Sequence, residues 1–193
     1  MESLLTLLTD IRACTACAEQ LPLGPRPVVV ADTAAKILII GQAPGTRVHQ
    51  TGIPWNDPSG DRLRQWLAID REQFYADSRL AIMPMGFCYP GKGASGDLPP
   101  RKECAPLWHG RLLAHMPNVE LVLLIGQYAQ GYYLRDAFKT LTERVQQHPL
   151  HDLYFPLPHP SPRNQLWLKR NPWFDTDVLP RLQTRVRTLL ELK

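Results

Sequence analysis

Apolar residues return along this chain in two rhythms. Near the start, Leu4, Leu5, Leu7, Leu8 and Ile11 recur at helical spacing, which predicts a helix over 2–13. Further on the apolar positions run together. "KILIIG" (36–41), "RLAIMPMGF" (79–87), "VELVLLIG" (119–126) and "LYFPLPH" (153–159) read as four strands. Helical patterns lie between and after them. One covers 59–69 with Ser59 as its N-cap, and two more cover 102–116 and 127–138. The last covers 171–192, opened by Asn171 and Pro172 as N-cap and first residue, and bent at Pro180.

Strands apolar throughout are strands buried on both faces. Their alternation with helices predicts an α/β class of fold, a three-layer α/β/α sandwich around a four-stranded parallel sheet. No internal repeat or linker divides the chain, so one domain over 1–193 is expected. Ligands of such sheets bind beyond the carboxyl ends of the strands. Three of those ends open into long or stiff Gly- and Pro-rich segments: "GQAPGTRVHQTGIPWNDPSG", "CYPGKGASGDLPPRKEC" and "HPSPRN". The expectation is that they converge on one site. The two prolines of "HPSPRN" (159–164) argue against helix there and for a rigid loop.

Composition narrows the class. Hydrophobic residues make up 44% and charged residues 21%, which fits a globular chain. No apolar run approaches a bilayer span, and the start lacks the basic and small-residue marks of a secretion signal. No membrane association and a cytoplasmic location are expected. The net charge of +4 permits a nucleic-acid partner without demanding one. Much of the excess lies late, at Arg163, Lys169, Arg170, Arg181, Arg185, Arg187 and Lys193.

The four cysteines, Cys14, Cys17, Cys88 and Cys104, form a C-x2-C pair and a second pair around a Pro/Gly-rich loop. A disulfide suits a cytoplasmic chain poorly. Four thiolates suit zinc or an iron–sulfur cluster, and spacing alone does not choose. A phosphate-loop reading of "GQAPG" lacks the lysine and the acidic cluster that such chemistry needs.

"GQAPG" after the first strand, the four cysteines in this order and "HPS" after the last strand resemble the uracil-DNA glycosylase superfamily. The similarity is greatest to its bacterial and archaeal branches that carry an iron–sulfur cluster, while "HPSPRN" resembles the single-strand-selective branch. The resemblance implies a monofunctional DNA glycosylase that flips uracil or another deaminated base into a pocket and hydrolyses its glycosidic bond. It implies a 4Fe–4S cofactor on Cys14, Cys17, Cys88 and Cys104, with a structural role, and a monomer acting on DNA.

It also implies roles for single residues. His159 donates to the departing base. Asp57, in "NDPSGDRL", places water, with Gln42 assisting. Gly41, Ala43 and Trp55 line the base, Trp55 by stacking. Gly45, Ser161, Pro162, Arg163 and Asn164 meet DNA, the last three as a wedge. Asp61 reads as a partner for the helix dipole and His49 as a surface residue.

Two departures from the family pattern stand out. Relatives carry a carboxylate at the position of Gln42 or of Ala43, and this chain has neither. Relatives read the base with an asparagine where alignment on Cys88 puts Pro84. Backbone amides of Met85, Gly86 and Phe87 then remain to read uracil, or the pocket takes another base such as hypoxanthine. The departures also motivate a rival expectation, a damage-binding module of the same fold that does not cut.

Overall fold

The strands serve two cores at once, because neighbouring side chains on a strand point to opposite faces. The computed structural model describes residues 2–94, 96–136, 138–149 and 152–192. Its elements begin with helix α1 (Leu4–Arg12), strand β1 (Ile37–Ile40) and helices α2 (Thr46–Thr51), α3 (Pro58–Leu67) and α4 (Arg71–Ala76). Strand β2 (Leu80–Ile82), the hairpin β3 (Lys92–Gly93) and β4 (Gly96–Asp97), helix α5 (Cys104–Ala114) and strand β5 (Leu121–Ile125) follow. Helices α6 (Gln127–Tyr133) and α7 (Leu141–Gln147), strand β6 (Tyr154–Leu157) and helices α8 (Gln165–Arg170) and α9 (Leu179–Leu189) complete them.

The sheet runs β2-β1-β5-β6 with every pairing parallel, so the chain has the α/β fold expected. Ile37, Ile39, Leu121, Leu123 and Ile125 pack with Leu63, Trp66, Phe174 and Leu182 on one face. Leu38, Ile40, Val122 and Leu124 pack with Leu7, Ile11, Leu112 and Met116 on the other. Removing one such leucine costs about 2–5 kcal/mol, because the cavity it leaves adds to the lost burial. Among the described residues, no helix is long and apolar enough to cross a membrane.

Several boundaries differ from the sequence reading. The second strand covers Leu80–Ile82, not 79–87, although the amides of Met83 and Met85 beyond it still donate to the carbonyls of Ile39 and Gly41. Asp57 caps α3, not Ser59: its Oδ1 accepts the Gly60 amide at 2.8 Å. The helix after β5 stops at Tyr133, short of 138. Asn171 closes α8 and does not open the last helix. That helix begins with a π turn, Phe174–Val178, directly ahead of Pro180, whose missing N–H widens the turn. Pro162–Asn164 forms a 3-10 turn capped by Ser161, so "HPSPRN" is partly helical after all. A 3-10 turn tolerates proline at its start, where no donor is needed.

Candidate functional site

The carboxyl ends of β1, β2, β5 and β6 open into one cavity of about 600 Å³. Gly41, Gln42, Ala43, Gly45, Trp55, Asp57, His159, Ser161, Arg163 and Asn164 all line it, which brings together ten of the residues singled out above. Pro162 lies outside the lining. So does His49, half-buried on α2 against Tyr89. Its Nδ1 is buried without a hydrogen-bond partner, so it is not the surface residue expected.

The 54–57 segment is held by α3 and α4. Trp55 takes a left-handed backbone, φ 56°, a costly conformation for an aromatic residue. Buried Arg64 donates to the Trp55 carbonyl at 3.2 Å and pairs with Asp61, while the Tyr75 hydroxyl donates to the Pro54 carbonyl at 2.9 Å. Asp61 therefore serves a side chain as well as a helix start. Gly60 packs so closely beneath the turn that any Cβ there would overlap the Trp55 carbonyl. The indole in turn lies over Gly41, its ring centroid 5.8 Å from that of His159.

His159 is fixed in one tautomer. Its Nδ1 accepts the Ser161 amide at 3.2 Å, which leaves the proton on Nε2. Burial holds its pKa below the ordinary histidine value, and the charge of Asp57 opposes that shift. The imidazole is thus neutral at neutral pH with a donor to spare. Asn164 Nδ2 donates to the His159 carbonyl at 2.7 Å, and Arg62 donates to that of Ser161 at 3.2 Å, so the whole loop is braced.

The β3–β4 hairpin covers one side of the cavity. Gln42 Nε2 donates to the Leu98 carbonyl at 3.1 Å and ties it down. Asp97 lines the cavity, its carboxyl pKa raised by burial and by the charge of Asp57, while Arg163 and Lys92 oppose the rise. The Arg163 guanidinium lies against Gly96, whose φ of 136° is one that side chains rarely adopt.

The backbone at 84–87 is already engaged. The amides of Met85 and Gly86 donate to the carbonyls of Gly41 (2.9 Å) and Gln42 (3.0 Å), and the Phe87 amide points at the Cys104 sulfur (3.4 Å). The Pro84 carbonyl meets Nε2 of buried His109 at 3.1 Å, whose Nδ1 lies 2.6 Å from the Tyr133 hydroxyl. Burial pushes the His109 pKa down to about 4, so it is a neutral structural prop. The expectation that these backbone amides read a base is therefore corrected: each already has a partner.

Cys14, Cys17, Cys88 and Cys104 line a second, small cavity with Leu21, Pro27, Phe87, Arg101 and Trp108. All four thiols are free. Burial pushes Cys88 up to about 11 and Cys104 up to about 12, with the neighbouring cysteines adding to both shifts. A positive charge in their midst would reverse that balance and favour thiolates. Among the described residues, no three His, Cys, Asp or Glu side chains stand as a ready-made site for one metal ion. The four sulfurs on this cavity wall are the donors that could hold a metal group here.

Sequence reasoning missed Asp97, Gln127 and Tyr128, which also line the main cavity. Two signals pointed to them. Asp97 sits in a loop already judged to converge on the site. Gln127 follows the third strand, to which the strand-end rule applies equally.

A family model described as the uracil DNA glycosylase superfamily matches residues 27–183.

Proposed function

The chain belongs to the uracil-DNA glycosylase superfamily, whose members act on DNA, and on that premise we propose that it hydrolyses the glycosidic bond of uracil or another deaminated base in DNA. The observation that carries this reading is the locked, neutral His159 with a free Nε2–H in the same cavity as Asp57 and Trp55. Breaking the bond leaves negative charge on the base and positive charge on the sugar. The Nε2–H of His159 donates to the base oxygen as charge gathers there, an arrangement worth about 10²–10³ in rate. Asp57 spends one oxygen on the Gly60 amide and keeps the other to hold water or face the sugar cation. Gln42 spends its amide donor on Leu98 and keeps its oxygen as a second acceptor for that water. Trp55, beside Gly41 and Ala43, gives the extruded base a stacking surface worth about 1–3 kcal/mol. Gly45, Ser161, Pro162, Arg163 and Asn164 meet the DNA around the vacated position, Ser161 at a phosphate and the rest at the groove. A lysine Schiff base is not part of this mechanism, so the strand stays intact at the abasic site.

Cys14, Cys17, Cys88 and Cys104 are the ligands of a 4Fe–4S cluster in this reading, supported by the four sulfurs that share one apolar cavity wall. Such a group would supply no step of the hydrolysis; it joins the N-terminal segment to the 88–104 loop.

The test is base release from oligonucleotides carrying uracil, hypoxanthine or xanthine, single- and double-stranded, scored by alkaline cleavage. An alkali-labile site with at least one base is expected. Binding without release from any of them contradicts the reading and leaves a damage-binding module.

A further inference from the structure

A flipped deaminated base presents an N–H beside a C=O, and holding that edge takes an acceptor and a donor side by side. A carboxamide offers both on one planar group. The resemblance implies an asparagine for it where this chain has Pro84, which has no donor at all. The main chain behind it is spent: the amides of Met85 and Gly86 bond to Gly41 and Gln42, that of Phe87 points at Cys104, and the Pro84 carbonyl meets His109.

Three carboxamides line the cavity: Gln42, Gln127 and Asn164. Gln42 gives its nitrogen to the Leu98 carbonyl and Asn164 gives its own to the His159 carbonyl. Gln127 gives nothing away; its amide bonds to no other described residue. It opens α6 directly after β5, the strand next to β1. Its neighbour Gly126 faces His159, where an added Cβ would come within 3.7 Å of the His159 Cβ. Gln127 and His159 thus line the same cavity from adjoining stretches of chain.

We propose that Gln127 grips the hydrogen-bonding edge of the flipped base, replacing the asparagine that Pro84 excludes. The ligand class is a base with a lactam edge, an N–H flanked by a carbonyl, as in uracil, hypoxanthine and xanthine. Gln127 Oε1 accepts from the ring N–H and Nε2 donates to the adjoining carbonyl, while His159 serves the other side of the ring. This assignment rests on the glycosylase reading.

The experiment compares the wild type with Gln127→Ala and Gln127→Glu in two assays. One is kcat/KM for uracil release from an oligonucleotide. The other is affinity for the same oligonucleotide bearing a stable abasic-site analogue, which has no base to grip. Gln127 is exposed and its amide bonds to no other described residue, so both variants should keep the wild-type melting temperature. Both should lose about 10- to 100-fold in kcat/KM, the worth of a two-bond contact to a base edge. Glutamate is included because it keeps the size but, ionised, loses the donor. Abasic affinity should not move. Wild-type release by both variants overturns the assignment, as does an equal loss of abasic affinity, which would make Gln127 a backbone contact. A wild type that releases no base overturns the glycosylase reading itself, and this assignment falls with it.

Discussion

The chemistry of the cavity turns on one hydrogen bond, from the Ser161 amide to Nδ1 of His159. It decides which nitrogen carries the proton, and burial keeps the ring neutral. Protonation would put a second proton on Nδ1 and break that bond. Activity should therefore be present above the depressed pKa of His159 and lost as pH falls through it, with an acid limb below the ordinary value of about 6.5. Asp57 raises that pKa, so Asp57→Asn should push the limb to still lower pH while slowing the chemical step by about 10²-fold or more. A pH profile of single-turnover release checks both; an unmoved limb would show that Asp57 does not act on His159. The sequence exposed His159, Asp57 and Trp55 because strand-end loops rich in Gly and Pro are conspicuous. It hid Asp97, since a carboxylate's burial and its charged neighbours depend on how a hairpin folds back. It also hid that Met85, Gly86 and Phe87 were engaged, because backbone hydrogen bonds across loops leave no mark in residue identity.

Among elements, α3 matters most to the site. Its cap is Asp57 and its first turn passes under Trp55 at Gly60, so one helix start fixes both the Trp55 turn and the carboxylate. Gly60→Ala has nowhere to put its methyl group except against the Trp55 carbonyl. The 55–57 turn must move, at about 1–3 kcal/mol of overpacking strain. A fall in melting temperature together with a loss of base release is expected; a variant with wild-type stability and rate would mean that the turn is not held as described. The long buried strands were readable because period and composition agree over several residues. The helices Thr46–Thr51 and Arg71–Ala76 are too short to repeat any period, and the first lies in a segment that reads as a long loop. Helix α7 carried a usable signal, the Thr140–Glu143 capping box, which the structure forms in full.

At the scale of the whole molecule, the sheet separates two apolar cores and delivers four strand ends to one cavity. The four cysteines stand apart from it, on the 14–28 and 88–104 segments. Cys17, Leu21 and Cys88 make a small cluster of their own, and the Val28 amide bonds to the Phe87 carbonyl at 2.8 Å. Protein purified without oxygen should show broad visible absorption, and Cys104→Ser should lose it along with protection of the N-terminal segment from protease. A colourless protein with one zinc per chain would refute the cluster. The order of strands and helices was legible in the sequence, because each buried strand announces itself. The grouping of the four cysteines as one metal-binding set was legible in their two pairs, while the choice of cluster over zinc came only from the resemblance, since spacing leaves both open.

The central claim is that the cavity at the strand ends is the reaction centre. Single-turnover release of uracil by His159→Ala, beside the wild type and with DNA binding measured in parallel, tests it most directly. The account predicts rapid release by the wild type, a loss of about 10²–10³-fold in the variant, and unchanged DNA binding. A variant that releases uracil at the wild-type rate would contradict it.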